Sequence, residues 1–135
     1  TGYWQHPGTA GQTSTVYFAG RNDDGLIVNI NNTAVISDWA QQGPTYWNSS
    51  GSFTGVGGQW YPIVINYYEW GGHAVLDLHY SLTNLGTSTT TGWLDMNSDH
   101  FSATDPTITI TSAQQTTVNT AKSATGNGVN MNVNG

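Results

Sequence analysis

Apolar and polar residues alternate in short segments along this chain, and no segment sustains the 3.6-residue apolar period of an amphipathic helix. Gly, Pro, Asn and Ser clusters separate the segments, and Asn31-Asn32 is a hairpin-turn signal. In the clearest segment, residues 73–80, four side chains would share one face of a strand: Ala74, Leu76, Leu78 and Tyr80. The pattern predicts an all-β chain that folds as a β-sandwich of two antiparallel sheets.

The length of 135 residues fits one domain. The alternating segments at 107–111 and 129–133 bring too few apolar side chains for a core of their own. We therefore expect residues 86–135 to complete the sheets of a single domain spanning residues 1–135. Two stretches carry no clear strand signal: residues 1–12 and the loop-rich residues 41–58.

Charged residues are scarce in this chain, at 7% of the sequence, and the formal net charge is -6. Only two side chains, Arg21 and Lys122, carry a fixed positive charge, which argues against partners rich in phosphate, such as nucleic acid or anionic lipid. No apolar run is long enough to cross a bilayer, so we expect no membrane insertion. A surface of Thr, Ser, Asn and Gln with 12% aromatic residues suits an extracellular or cell-surface protein and is frequent in carbohydrate binders.

Two adjacent carboxylates at a strand-to-strand turn, in Asp23-Asp24-Gly25, are costly unless a cation lies between them. Oxygen donors in a chain without cysteine favour a hard ion, and calcium takes 6–8 oxygen ligands at about 2.3–2.6 Å. The same three residues are also ordinary turn chemistry, since Asp bonds its own backbone and Gly accepts positive φ. The tripeptide by itself leaves both interpretations open.

Several segments occur in an order and spacing that resemble the protective-antigen domain family, a 14-kDa β-sandwich. They are Asp23-Asp24-Gly25 and the hairpin after it, Ala34-Val-Ile-Ser-Asp-Trp39, Tyr61-Pro-Ile-Val-Ile-Asn-Tyr67, and Gly71-Gly72-His-Ala-Val-Leu-Asp-Leu78. The resemblance covers residues 15–80. It assigns four aromatic or apolar side chains to the core: Trp39, Tyr67, Leu78 and Tyr80.

The resemblance implies a calcium site of a particular kind. In the sugar-binding members, as in yeast flocculins and bacterial adhesins, the two aspartates are joined by a cis peptide and both face one calcium ion. A second loop adds one side-chain oxygen and the backbone carbonyls two and four residues later. Carried over to this sequence, the ligands are Asp23, Asp24, Glu69, Gly71 and His73. Glu69 stands where many relatives have Asn or Gln.

The resemblance also implies how a sugar is bound. Two neighbouring sugar hydroxyls would displace waters from the calcium ion, beside Asp23 and Asp24. Trp70 is a candidate for stacking on the sugar, although a packed tryptophan is an equal alternative. His73 is a candidate hydrogen-bond partner, although a solvent-facing histidine is the simpler interpretation. The predicted function is that of a calcium-dependent lectin module, within a larger cell-surface adhesin, that binds extracellular glycans.

Two other functions compete with this prediction. The domain could be a structural spacer of a surface protein that binds no sugar, or an accessory domain of a glycosidase. A catalytic role is not expected, because a glycosidase pair made of Asp24 and Glu69 would need one pKa raised by an apolar setting. No Ser-His-Asp or Cys-His pattern is visible either. The four histidines lack zinc-ligand spacing: His6, His73, His79 and His100.

Overall fold

The computed structural model describes residues 1–46, 51–87 and 89–106. Thr1–Asp105 form one compact unit. The strands predicted at 107–111 and 129–133 lie outside the described residues. Within the part of the chain that the structure describes, no helix is long and apolar enough to span a membrane.

The described residues form an all-β sandwich, as the alternation predicted. Every strand pair is antiparallel. One sheet has the order β10-β1-β7-β3-β4; the other has β5-β2-β8-β9, with β6 also pairing with β2. The strands are β1 Gly2–Gln5, β2 Thr13–Asp23, β3 Gly25–Ile30, β4 Thr33–Asp38, β5 Thr45–Tyr46, β6 Ser52–Val56, β7 Trp60–Tyr68, β8 Val75–Ser81, β9 Leu94–Asp95 and β10 Phe101–Ser102, with a 3-10 helix at Ser98–His100.

The core lies between the two sheets and follows the two-residue period of the strands. Its buried members are Trp4, Val16, Phe18, Leu26, Val28, Ile30, Val35, Ile36, Phe53 and Ile63. The Trp4 ring meets the Phe18 and Phe53 rings edge-on, with centroids 5.4 and 6.2 Å apart. Trp4 lies on β1 and Phe53 on β6, and both strands fall in stretches that carry no clear strand signal. Both strands are short, so their pairing with β7 and β2 defines them.

The Asn31-Asn32 turn forms as expected, with φ of 47° and 64° at the two residues. It joins β3 to β4 at the end of β3 that is remote from Asp24. The first residue of β3, Gly25, pairs with Tyr68, the last residue of β7. This register brings Asp24 next to Glu69.

One expectation about an apolar side chain needs correction. Trp39 is 54% exposed rather than buried, because the chain leaves the sheet at Asp38. Its ring meets the Tyr68 ring in an edge-to-face arrangement, with centroids 4.6 Å apart. On β8, Leu78 and Tyr80 are partly buried and pack against the core as expected, but Leu76 is 42% exposed. Ala74 precedes the strand and is exposed.

Candidate metal centre

Asp23 and Asp24 lie where the chain crosses from one sheet to the other. β2 ends at Asp23, which pairs with Val75 of β8, and β3 begins one residue later at Gly25 in the opposite sheet. The peptide bond between Asp23 and Asp24 is cis, as the resemblance implied. Gly25 is required here, since a Cβ at this position would lie 2.1 Å from Cε1 of Tyr68.

Three carboxylates converge at this crossing. One oxygen each from Asp23, Asp24 and Glu69 lies within 4.8 Å of the others. Two oxygens on opposite sides of one calcium ion are about 4.6–5.2 Å apart, so the cluster has the dimensions of a single-ion site. Asp23 and Asp24 are 6% and 3% exposed, whereas Glu69 is exposed. This acidic cluster can hold a metal ion.

Asp24 is held in place by the protein itself. Its Oδ1 accepts a 2.7 Å hydrogen bond from the backbone N–H of Gln42, and its Oδ2 accepts a 2.6 Å bond from the backbone N–H of Trp70. Its backbone carbonyl accepts a 2.7 Å bond from Nδ2 of Asn22. Each carboxylate oxygen keeps a free lone pair, so Asp24 is oriented and still able to bind a cation.

Asp23 is in the opposite situation. Its backbone carbonyl accepts a hydrogen bond from the Tyr67 hydroxyl, but within the described residues nothing donates a hydrogen bond to its carboxylate. Burial raises the pKa of Asp23, and the negative charges of Glu69 and Asp24 raise it further, whereas His73 lowers it. Asp23 therefore favours its neutral form more than an isolated carboxyl does, and a cation bound beside it would favour the ionised form.

Glu69 is oriented by its own loop. Its Oε1 accepts a 2.7 Å hydrogen bond from the N–H of Gly71, and its Oε2 lies 3.3 Å from the Tyr67 hydroxyl. Burial raises the pKa of Tyr67, and the charge and hydrogen bond of Glu69 add to this. Tyr67 therefore remains a neutral donor beside the carboxylates.

Two members of the cluster, Asp23 and Asp24, line an open cleft of about 620 Å³. One wall is the loop of residues 41–44 and the other is the loop of residues 71–73, with Asp23 and Asp24 between them. Gly71 and His73 thus lie beside the carboxylates, and coordination by their carbonyls stays a prediction. Trp70 does not line the cleft and is 75% exposed, so its stacking on a sugar also stays a prediction.

Three residues that form hydrogen bonds around Asp24 were not predicted from the sequence: Asn22, Asp38 and Gln42. Oδ2 of Asp38 accepts hydrogen bonds from Nδ2 of Asn22, at 2.7 Å, and from Nε2 of Gln42. Asn22 directly precedes Asp23, and Asp38 lies within the segment 34–39 that carries the family resemblance, so both could have been identified from the sequence. Gln42 carried none, because its contacts depend on where a loop 18 residues away folds back.

Comparisons with known proteins agree on the fold. No protein-family model matches this sequence, and no curated protein matches it. Among solved structures, the PA14 domain of the antifreeze protein MpAFP is similar over 78% of this chain and 50% of that one, with a TM-score of 0.61 and 22% identity. PA14 is the short name of the protective-antigen domain. At this identity the similarity shows a PA14-like fold alone.

Two other solved structures are similar, and both are described as anti-sigma factor domain-containing proteins. One has a TM-score of 0.59 and 22% identity, over 76% of this chain and 32% of that chain. The other, from Clostridium clariflavum, has a TM-score of 0.57 and 17% identity, over 82% of this chain and 33% of that chain. This chain therefore spans half or less of the length of the three solved chains.

Proposed function

We propose that this domain is a calcium-dependent carbohydrate-binding module that holds sugar hydroxyls directly on its calcium ion. The observation that carries the proposal is the environment of Asp23. Its carboxylate is buried, has no hydrogen-bond donor among the described residues, and lies at the floor of an open cleft beside two other carboxylates. A cation bound there would favour the ionised carboxylate, and the cleft would leave that cation open to a ligand.

The donor set favours calcium. Asp23, Asp24 and Glu69 supply only oxygen, which suits a hard cation, and the described residues bring no histidine nitrogen or sulfur into the cluster. Three carboxylates and one divalent ion leave a formal charge of -1, which strengthens binding of a 2+ ion. We assign the carbonyls of Gly71 and His73 as the remaining protein ligands, since both residues line the same cleft.

A sugar is the ligand class that such an ion would take from the cleft side. Calcium prefers 6–8 oxygens, so an ion with five protein ligands completes its shell with water. Two neighbouring hydroxyls can replace two waters and keep oxygen coordination. Three glycines in the walls, Gly43, Gly71 and Gly72, leave space for a ring. His73 can add a hydrogen bond from the wall, and Trp70 can stack on a longer glycan at the rim.

The setting that fits this chemistry is extracellular or at the cell surface. A single shallow site binds one sugar modestly, and useful strength comes from many copies in a larger adhesin. The partners would then be extracellular glycans rather than nucleic acid. The competing proposal is a structural spacer whose calcium only stiffens the loops. It draws support from the described cleft lining, which includes no Trp, Tyr or Phe side chain.

Two titrations test the proposal. Calorimetry with calcium alone should show one site, and Asp24→Asn should abolish it. Methyl glycosides of fucose, mannose, glucose and galactose, and a glycan array, should then show binding in calcium that disappears with chelator. Affinities between millimolar and micromolar are expected, which corresponds to about -4 to -8 kcal/mol. Calcium binding without any sugar response would establish the spacer function instead.

A further inference from the structure

The loop of residues 41–44 is hydrogen-bonded to Asp24 of the candidate metal centre through Gln42. The backbone N–H of Gln42 donates a 2.7 Å hydrogen bond to Oδ1 of Asp24. Its side-chain Nε2 donates to Oδ2 of Asp38 and lies 3.4 Å from the carbonyl oxygen of Asp24. Two residues therefore position this wall of the cleft: Asp24, which belongs to the candidate metal centre, and Asp38, which lies outside the cleft lining.

The opposite wall, the loop of residues 71–73, is held by a hydrogen bond to the same Asp24 side chain. The N–H of Trp70, at the start of the loop that continues through residues 71–73, donates a 2.6 Å hydrogen bond to Oδ2 of Asp24. One carboxylate thus joins both walls through its two oxygens. The distance between the walls is set by Asp24, and an ion bound to Asp24 lies between them.

Gly43 keeps the first wall open. A Cβ at this position would meet no atom within 4 Å, and its φ lies outside the left-handed region that favours glycine. A side chain could therefore be added without the strain of a positive φ, at a residue that lines the cleft. The facing residues Gly71 and Gly72 also lack side chains, but their φ values of 151° and 106° make them unsuitable for substitution.

We propose, on the basis of the function proposed above, that the 41–44 loop is the wall that determines sugar specificity. In this arrangement the ring of a terminal sugar stands between the 41–44 and 71–73 loops, with two neighbouring hydroxyls on the ion. Gln42 is a positioning residue that fixes the wall, and Gly43 provides the room for the ring substituents. Asp23 is 6% exposed, its side chain accepts no hydrogen bond from the described residues, and it lines the same cleft, so a ligand bound there would supply its missing partner.

The test compares Gly43→Val and Gln42→Ala with the wild-type chain. Each variant is titrated with calcium alone and then with the four methyl glycosides at saturating calcium. Gly43→Val should lose tenfold or more in sugar affinity, and its calcium affinity should stay within threefold of wild type. Gln42→Ala should lose threefold or more in sugar affinity and change the order of preference among the four glycosides. A merely structural role for Gln42 would not change that order.

Two matched controls lie outside the cleft. Ala34→Val adds methyl groups at an exposed position on β4, and Gln12→Ala truncates an exposed glutamine with no side-chain hydrogen bond among the described residues. Both should bind calcium and sugar as the wild type does. Equal losses in the controls would overturn the inference, because the effect would then not belong to the loop.

The outcomes separate this inference from the proposed function. Wild-type chain that binds calcium but none of the glycosides overturns both. Wild-type chain that binds a glycoside, with Gly43→Val within twofold of it, overturns the specificity wall alone. If Gly43→Val does not fold, Gly43→Ala is tested instead, and it should lose at least threefold in sugar affinity. The expected result for Gln42→Ala is unchanged.

Discussion

Asp23 and Asp24 are neighbours joined by a cis peptide bond, yet only the carboxylate of Asp24 accepts hydrogen bonds from the described residues. Both side chains are buried. Asp24 is thus fixed by the protein, whereas the Asp23 carboxylate has no hydrogen-bond donor among the described residues, and a bound cation would favour its charged form. The difference between these two residues makes the metal centre testable by mutation.

Asparagine substitutions at the two positions should affect the metal-free protein in opposite directions. Asp24→Asn places an NH₂ group against one of two backbone N–H donors, so we expect a loss of about 1–3 kcal/mol in the free energy of unfolding. Asp23→Asn removes an uncompensated charge, so the metal-free variant should be at least as stable as the wild type. Urea denaturation of dialysed protein gives both values, and calorimetry should show no calcium binding by either variant. Equal destabilisation of both variants would contradict this assignment.

Calcium affinity should fall as the pH is lowered toward the raised pKa of Asp23. In the folded, metal-free protein this pKa lies above the ordinary value of 3.8. Between the two pKa values, the folded state therefore holds a proton that the unfolded state has released. The stabilising effect of that proton is fully present below the ordinary value and is lost as the pH rises through the folded value. Calcium binds the ionised form, so its stabilising effect should be largest where the proton has left.

The measurement is the difference in Tm with and without calcium, between about pH 4 and pH 7. His6 affects the stability in the same range, because burial lowers its pKa while the Ser14 carbonyl raises it less. The stability from neutral His6 is present above 6.5 and is lost as the pH falls through the lowered value. That effect is common to both conditions and cancels in the difference. A difference in Tm that is independent of pH would argue against Asp23 as a ligand.

Gly25→Ala should damage the fold and the metal centre together. The added Cβ would lie 2.1 Å from the Tyr68 ring, directly beside Asp24. Overpacking of this kind costs about 1–3 kcal/mol, and movement of the β3 start should also weaken calcium binding. Gly43→Ala is the matched control, since its Cβ would meet nothing within 4 Å. Its stability should stay within about 0.5 kcal/mol of the wild type.

Trp70→Ala should separate sugar binding from calcium binding. The backbone N–H that holds Asp24 remains in this variant, while the 75% exposed ring is removed. We therefore expect unchanged calcium affinity and weaker glycan binding on the array. Trp39→Ala removes another exposed ring, outside the cleft lining, and should leave both activities unchanged. Equal glycan binding by Trp70→Ala and wild type would show that the ring takes no part.

The sequence by itself determined the strand class, the Asn31-Asn32 turn and the identity of the acidic residues. These depend on period-two alternation, turn chemistry and a local tripeptide, all of which lie within a few neighbouring residues. Glu69 followed from the spacing of a resemblance, and the structure brings it to Asp23 and Asp24. The local patterns identified the three acidic residues, and the pairing of β3 with β7 places Asp24 next to Glu69.

The tertiary structure decided everything that depends on contacts between distant segments. Trp39 is exposed because the chain leaves β4 at Asp38, and Phe53 is buried because β6 pairs with β2. The unequal environments of Asp23 and Asp24 arise from donors on two loops, Gln42 and Trp70, which lie 18 and 46 residues from Asp24. A hydrogen bond is made by position rather than by residue type, because any residue but proline supplies a backbone N–H. Only the packing of the two sheets brings those donors to Asp24.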